Sequence, residues 1–196
     1  MEDVTGGFIR FLGSPLRCSY VALTAASNGR LYAIPSRGGW VIEIDPAIGM
    51  VQEFGERLPD GAGELYNCLA EAKNGCLYAA PYCATRVLEI DPVLRTVKQI
   101  GLDLGRSGVG KYSCITAACT GRLYAAPDWP GRALEIDPMT REVTRMGDEI
   151  RDHDYYHYMC LTEAKNECLY ASPCCAAKVL EINPITRAAR TIGDPV

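Results

Sequence analysis

Short apolar runs separated by turn residues repeat along this chain, and they have the length and composition of β-strands. In the second repeat such runs cover residues 66–72, 76–80, 86–90 and 96–100. Asn74-Gly75 between the first two runs is a strong hairpin signal. Pro81 stops the second run because proline cannot donate to a ladder, and Asp91-Pro92 opens the turn after the third. We therefore predict four antiparallel strands, apolar on both faces because each sheet is packed between two others.

This pattern occurs four times with a constant spacing of 46 residues. The Leu-Tyr-Ala triplet begins at Leu31, Leu77, Leu123 and Leu169; the Ile-Asp-Pro or Ile-Asn-Pro triplet places Asp45, Asp91, Asp137 and Asn183; a glycine follows at Gly55, Gly101, Gly147 and Gly193. A strand-based period of about 40–50 residues is typical of a β-propeller blade. The predicted fold is therefore all-β: a β-propeller with four 46-residue, four-stranded blades.

A single domain over residues 1–196 accommodates the repeats, with blades at approximately 20–55, 66–101, 112–147 and 158–193. Residues 8–13 resemble a fourth strand, although the last unit already has its own. This surplus leading strand leaves three arrangements open: a piece of a longer propeller, two chains forming a larger dimeric ring, or a four-bladed ring with an added strand. An incomplete array exposes apolar sheet faces, so a homodimer is a candidate assembly.

The units alternate in sequence, which indicates duplication of a two-blade segment. Units 1 and 3 share Thr-Ala-Ala and Gly-Arg-Leu-Tyr-Ala, whereas units 2 and 4 share Glu-Ala-Lys-Asn and Cys-Leu-Tyr-Ala. In all four units a symmetric turn between strands 2 and 3 would place a tyrosine opposite a glutamate. We therefore predict that Tyr78 and Glu89 are cross-strand neighbours, as are their equivalents.

Composition narrows the range of partners. The net charge of −4 argues against a surface for nucleic acid or an anionic membrane. No apolar run approaches the length of about 18 residues that a membrane span needs. Residues 1–4 are not followed by a basic segment and a long apolar run, so we expect no signal peptide there. Equivalent cysteines on neighbouring sheets would lie about 10 Å apart, too far for a disulfide. We therefore expect the ten cysteines to be reduced packing residues and the protein to be cytoplasmic.

The unit NGCLYAAPYCATRVLEIDPVLRTVKQIG, residues 74–101, resembles the blade repeat of the streptogramin lyase, NHL and SMP-30-like propeller group. The resemblance covers residues 20–196 and implies a propeller. The lyases of this group are metal-assisted enzymes that carry histidine and carboxylate groups at the channel mouth. This chain has only two histidines, in one loop, and Leu-Tyr-Ala-x-Pro where the lyases tend to carry Trp-Phe-Thr-Glu. No catalytic residue is therefore transferred from the lyases.

Candidate binding residues lie where the four units differ. The turns between strands 2 and 3, residues 36–39, 82–85, 128–131 and 174–177, vary while the opposite turns repeat. Variable loops on a rigid scaffold are the usual place for ligands. Trp129 and Tyr82 belong to these turns and are candidate contacts. Arg86, Arg132 and Lys178 share one position at the start of strand 3, so a ring of cations could hold an anionic ligand.

One loop carries potential metal ligands: Asp152, His153, Asp154 and His157. Histidines and carboxylates in this arrangement could bind a divalent ion. The spacing is a weak signal, because residues four apart do not converge in a loop. We therefore expect no cofactor, with a divalent metal ion as the alternative.

These observations favour a non-enzymatic β-propeller module that presents a variable loop face to a protein or a small-molecule ligand. The alternative is a metal-assisted hydrolase or lyase of the propeller type. Convergent histidine and carboxylate side chains at the mouth of a complete ring would favour the enzyme, whereas an open edge would favour the interaction module.

Overall fold

The computed structural model describes residues 12–13, 16, 18–61, 63–105, 110–151 and 157–194. Within these ranges sixteen strands form four separate antiparallel sheets, and each sheet uses four consecutive strands in chain order. The predicted all-β propeller with four four-stranded blades is therefore confirmed. No helix in this part of the chain has the length and apolar character that a membrane crossing requires.

The four blades repeat the same strand order. Blade 1 contains β1 (Tyr20–Ala25), β2 (Leu31–Pro35), β3 (Gly39–Asp45) and β4 (Met50–Leu58). Blade 2 contains β5 (Ala70–Glu71), β6 (Leu77–Ala79), β7 (Val87–Asp91) and β8 (Thr96–Ile100). Blade 3 contains β9 (Thr116–Ala117), β10 (Leu123–Ala125), β11 (Gly131–Asp137) and β12 (Glu142–Ile150). Blade 4 contains β13 (Thr162–Glu163), β14 (Leu169–Ala171), β15 (Val179–Asn183) and β16 (Ala188–Ile192).

Strand lengths depart from the expected blade in two ways. The first strand of blade 2 is shorter than predicted: beyond β5 only a single bridge joins Tyr66 to Pro81, where the proline interrupts the ladder. In blades 1 and 3 the fourth strand continues past Gly55 and Gly147. A register shift in each outer pair, together with a positive φ at each glycine, lets the strand bend and continue as a bulge.

The apolar core lies between the blades. Each of three clusters of buried side chains takes residues from two neighbouring sheets, as in the cluster that joins Tyr32 and Phe54 of blade 1 to Leu77 and Leu88 of blade 2. This arrangement explains why strands 2 and 3 are apolar on both faces. All ten cysteines are unpaired; Cys68, Cys76 and Cys114 belong to these clusters, and Cys168 is also buried.

A tyrosine and a glutamate pair in every blade, as the sequence predicted. Tyr78 lies opposite Glu89, and its hydroxyl donates to the carboxylate at 3.0 Å. The equivalent hydroxyl–carboxylate distances are 2.8 Å for Tyr32–Glu43, 3.0 Å for Tyr124–Glu135 and 3.0 Å for Tyr170–Glu181. The first three carboxylates are almost completely buried, so each needs more than one hydrogen-bond donor.

An arginine from the following blade supplies a counter-charge to each of these three carboxylates, and Glu43 and Glu135 also pair with Arg30 and Arg122 of their own blades. Nitrogen–oxygen distances are 3.3 Å for Arg95–Glu43, 3.0 Å for Arg141–Glu89 and 2.9 Å for Arg187–Glu135. All three arginines have positive φ, between 55° and 60°, in the turn before strand 4. This conformation costs about 1–2 kcal/mol for a residue with a side chain. Unit 1 has Gly49 at this position, which also has a positive φ.

The two ends of the array expose surface that the inner blades bury. Leu23 of blade 1 is 56% exposed, whereas its equivalent Leu161 is 9% exposed because it packs against blade 3. At the other end, Tyr170 is only half-buried, and the space beside Gly193 is open. In the inner blades the same positions pack against a neighbouring sheet.

Gly13 lies where the closing glycine of a preceding blade would lie. Its φ is +72°, and a Cβ atom added to it would be 2.8 Å from the Cβ of Val51. Glycines at the end of each of the first three blades meet the equivalent side chain of the next blade in the same way: Gly55 on Val97, Gly101 on Val143 and Gly147 on Ala189. The predicted leading strand, residues 8–13, falls mainly on residues 8–11, which lie outside the described residues.

The arginine–glutamate link between blades can be tested with Arg141→Gly. This change removes the cation from the buried Glu89 and relieves the positive φ, and we expect a net loss of about 1–3 kcal/mol in the free energy of unfolding. Glu167→Gly is the matched control: Glu167 has φ 63°, forms no ion pair within the described residues, and stands where the other units have glycine. Urea unfolding should show the control to be neutral or stabilising, and equal losses in both variants would contradict the link.

Glu43 should give the protein a component of acid sensitivity. Burial alone would raise the pKa of this carboxyl, but hydrogen bonds from Arg30, Tyr32, Gln52 and Arg95 outweigh burial and lower it to about 2. Because the folded pKa is depressed, this stabilisation is complete above the unfolded value near 4.5 and is lost as the pH falls toward 2. Unfolding free energies measured between these limits should fall less steeply for Glu43→Gln than for wild type. Glu53→Gln, on an exposed residue, should match wild type.

The exposed end faces should drive self-association. We expect light scattering after size exclusion to give a mass above the 21.4 kDa of one chain at micromolar concentration. Leu23→Asp should return the mass to one chain, because a carboxylate cannot be buried there without a partner. Leu94→Asp, on a residue that is 64% exposed in a turn, should leave the mass unchanged. A monomeric wild-type protein would contradict the prediction.

Candidate ligand site on the variable face

A continuous line of backbone hydrogen bonds runs across the variable face and joins all four blades. We name it the backbone belt. Its seven N–H to O=C bonds are Ser36 to Ser19 (2.8 Å), Leu65 to Ser36 (2.7 Å), Tyr82 to Leu65 (2.9 Å), Lys111 to Tyr82 (2.9 Å), Asp128 to Lys111 (2.8 Å), His157 to Asp128 (3.1 Å) and Cys174 to His157 (2.9 Å). Because only main-chain atoms make these bonds, the side chains at the belt positions are free to differ.

The belt is built from two repeating positions in each unit. One lies just before strand 1, as Lys111 does in unit 3, and the other begins the turn between strands 2 and 3, as Asp128 does. A proline precedes the second position in every unit, as Pro127 precedes Asp128. The ladder between strands 1 and 2 therefore weakens there, and the following N–H bonds to the belt instead.

A cleft opens beside the belt on blade 3, with a volume of about 370 Å³. Its lining consists of Lys111, Tyr112, Pro127, Trp129, Pro130, Gly131, Arg132, Arg145 and Glu149. Trp129 and the two prolines give it apolar walls, while the long basic side chains give it a positive rim. A cleft of this size suits a small ligand of mixed character.

Lys111 has an unusual environment in this cleft. Its Nζ atom is shielded from solvent and has no hydrogen-bond partner among the described residues. Burial lowers the pKa of the Lys111 ammonium, and the neighbouring Arg145 lowers it further, while Cys83 and Asp103 act in the opposite direction. A buried ammonium without an acceptor is costly, so this position favours an anion from outside the protein.

The remaining cleft side chains leave positive charge uncompensated. Arg145 donates to the carbonyl oxygen of Leu104 at 3.2 Å, and that contact is not an ion pair. Glu149, the acidic residue of the cleft, is 2.8 Å from Arg151. Neither Arg132 nor Arg145 forms a salt bridge within the described part of the chain.

The structure brings together two of the predicted binding residues and separates the others. Trp129 and Arg132 line the same cleft. Arg86 donates to the carbonyl oxygen of Gly101 at 2.6 Å, and its guanidinium lies 3.7 Å from Asp103. Tyr82 covers Gly110, leaving no room there for a side chain.

The three predicted cations therefore have different surroundings, and of the three only Arg132 lines the cleft on blade 3. Lys178 is half-buried on blade 4, and it does not line the cleft on blade 3. The carbonyls of all three residues accept a tyrosine hydroxyl, as Lys178 does from Tyr158 at 2.9 Å. Sequence reasoning missed Lys111 and Arg145. The signal for Lys111 was a cation at a position where the neighbouring units have Leu65 and His157.

Of the four predicted metal ligands, only His157 lies within the described residues. His157 is fully buried in the belt, with its ring 6.2 Å from that of Tyr158. Burial raises the pKa of the adjacent Asp128 carboxyl, and Ser113 and His157 moderate that rise. Asp152, His153 and Asp154 lie outside the described residues. The ranges that the structure describes contain no group of three or more histidine, cysteine or carboxylate side chains arranged to hold a metal ion.

No family profile matches the sequence, and no curated protein shows significant similarity to it. Solved structures do resemble the fold. Virginiamycin B lyase from Staphylococcus aureus superposes with a TM-score of 0.77 at 14% identity, over 99% of this chain and 62% of the lyase chain. A catalytically inactive variant of that lyase, with quinupristin, gives 0.77 at 15% identity over the same shares. Kuenenia stuttgartiensis hydrazine synthase gives 0.65 at 17% identity, over 95% of this chain and 53% of the other.

These similarities concern architecture. The chain spans 62% of the length of the virginiamycin B lyase chains, so it corresponds to part of such a propeller. At these identities the likeness extends to the blade and its stacking, and not to a set of reacting side chains. The resemblance of the repeat to streptogramin lyase propellers is thus confirmed at the level of fold: this chain is an array of β-propeller blades.

Proposed function

We propose that this chain is a non-enzymatic binding module whose variable face engages a small molecule or a protein. The observation that carries the proposal is the backbone belt. It fixes the main chain of the variable loops across all four blades while eight side chains of differing chemistry, from Ser19 to Cys174, occupy its positions. A rigid main chain whose side chains differ from blade to blade is the arrangement that recognition surfaces use.

The residues of the opposite face are repeated from blade to blade, and this difference between the two faces supports binding at the variable face. There the side chains of Asp45, Asp91, Asp137 and Asn183 each accept backbone N–H groups of their own turn, for example Val93 N to Asp91 at 2.9 Å. These residues are repeated because the turn requires them. Variation is therefore concentrated on the face that carries the belt and the cleft. A cytoplasmic location and a homodimer remain predictions alongside this proposal.

Nuclear magnetic resonance can test the binding proposal. We expect compounds of a fragment library to shift amide signals in the belt turns, residues 36–39, 82–85, 128–131 and 174–177. Amides in the turns at residues 46–49, 92–95, 138–141 and 184–187 are the internal control, because none of these turns lines the cleft on blade 3. Hits that cluster in the control turns, or a library without hits, would contradict a binding role for the variable face.

A metal-assisted lyase is the second candidate, favoured by the fold shared with virginiamycin B lyase. It would require metal ligands from the loop with Asp152, His153, Asp154 and His157, since the described residues do not gather a ligand set elsewhere. Our proposal predicts no conversion of quinupristin during overnight incubation with Mg²⁺, measured by liquid chromatography. Virginiamycin B lyase is the positive control. Conversion that depends on Mg²⁺ and disappears in His157→Ala would establish the enzyme instead.

A further inference from the structure

The cleft on blade 3 differs from the rest of the molecule in its charge balance. Elsewhere most arginines that contact a blade core have a carboxylate partner, as Arg141 has Glu89 and Arg187 has Glu135. In the cleft, Lys111, Arg132 and Arg145 converge without an ion pair among the described residues. Glu149 is neutralised by Arg151, so the cleft keeps an excess of positive charge.

The buried end of the cleft is a hydrogen-bond donor without an acceptor. Lys111 Nζ is excluded from solvent and unpartnered in the described part of the chain, although its backbone is fixed in the belt through bonds to Tyr82 and Asp128. Proteins rarely leave a buried donor unsatisfied unless a water, an ion or a ligand completes it. Since the donor is a cation in a positive cleft, an anion completes it better than water does.

The apolar walls of the cleft indicate the chemistry of the rest of the ligand, beyond its acidic group. Pro127, Pro130 and the Trp129 side chain line the cleft with apolar surface. An indole face beside cationic groups suits a flat apolar body whose acidic group reaches the cations. A volume of about 370 Å³ accommodates a compact molecule and not a folded partner.

The neighbouring blade shows how the same place looks without a site. In blade 2 the residue equivalent to Lys111 is the apolar Leu65, and the residue equivalent to Arg145 is Gln99, which donates to the Tyr66 hydroxyl at 3.1 Å. A neutral glutamine is therefore sufficient to hydrogen-bond the tyrosine hydroxyl at this position of the blade. The charge of Arg145 exceeds what packing requires, and Lys111 replaces a core leucine.

We propose that this cleft binds a compact dianion with an apolar body, such as an aryl or alkyl phosphate monoester or a small aromatic dicarboxylate. This inference rests on the proposed binding function and specifies its ligand class. Lys111 and Arg145 contact the acidic group, Arg132 supplies the rim charge, and Trp129 contacts the apolar body. The two acid types share one chemistry, a double negative charge on a small hydrophobic molecule, and the experiment separates them.

Fluorescence of Trp129 provides a direct signal. The chain has two tryptophans, so Trp40→Phe leaves Trp129 as the reporter. Phenyl phosphate and isophthalate are titrated separately, with benzyl alcohol as the neutral control. We expect saturable changes with one or both acids, none with benzyl alcohol, and weaker binding at high salt. Which acid binds more tightly identifies the acidic group that the cleft prefers.

Two variants copy residues that the repeat already uses at these positions. Lys111→Leu reproduces Leu65, Arg145→Gln reproduces Gln99, and both should fold like the parent. Each should weaken binding of the acid at least about tenfold, because a desolvated charge-assisted hydrogen bond is lost. Lys98→Gln is the matched control: it removes one exposed cation outside the cleft and copies Gln52 of unit 1.

The outcomes separate this inference from the broader proposal. Failure of both acids to bind at millimolar concentration, or equal affinity in Lys111→Leu and the parent, overturns the dianion site. If fragments still shift the belt turns in that case, the binding module stands and only its ligand class is wrong. If Lys98→Gln weakens binding as much as Arg145→Gln does, the effect is general charge screening, and the assignment to the cleft is also wrong.

Discussion

The buried glutamate of strand 3 is the group on which the packing of this array depends. A carboxylate between two sheets has a large desolvation cost, and it is tolerated only when its acceptors are filled. Here a tyrosine of the same blade and an arginine of the next blade both bind the carboxylate. One carboxylate therefore accepts a hydrogen bond within its sheet and forms an ion pair with the neighbouring sheet. Arg95, Arg141 and Arg187 adopt a positive φ where they meet these carboxylates, a conformation that glycine adopts at no steric cost.

The backbone belt explains how identical blades can carry different surfaces. Apolar stacking and the glutamate links join neighbouring sheets, while a line of main-chain bonds connects the loops of the variable face. A substitution at a belt position therefore leaves these main-chain bonds in place, although it changes side-chain packing at buried positions such as Leu65. Leu65, Lys111 and His157 illustrate this freedom: an apolar, a cationic and an imidazole side chain occupy one position of the same frame.

Much of the fold was predictable because repetition multiplies each weak local signal. One Asn-Gly or Asp-Pro dipeptide suggests a turn, but the constant 46-residue spacing of such pairs predicts a blade and its strand order. The Tyr78–Glu89 contact followed from register alone. The arginine that completes it did not, because Arg141 and Glu89 are far apart in sequence and meet only through stacking of blades. Extension of β4 beyond Gly55 was missed because a glycine can bend a strand as well as end it.

The candidate site was harder to predict, because its contacts also join residues that are far apart in sequence. Trp129 and Arg132 stood out as unusual residues in variable turns, yet equivalence in sequence suggested a symmetric ring with Arg86 and Lys178. Local partners break that symmetry: Arg86 contacts Gly101 and Asp103, while Arg132 lines the cleft. Partner choice depends on side-chain distances of a few ångströms, which a repeat pattern does not encode.

The arginine–glutamate links run in one direction along the chain, and this direction affects the order in which the blades can complete their packing during synthesis. Glu43, Glu89 and Glu135 each receive an arginine from the blade that is synthesised next. Glu43 and Glu135 also have an arginine of their own blade, at 2.9 Å and 3.1 Å, and Glu181 has Arg190 of its own blade at 3.0 Å. Among the described residues Glu89 has its ion pairs only with Arg141 of blade 3. On a ribosome, blade 2 therefore holds an uncompensated buried carboxylate until blade 3 emerges, whereas the other blades can neutralise theirs without waiting for a successor.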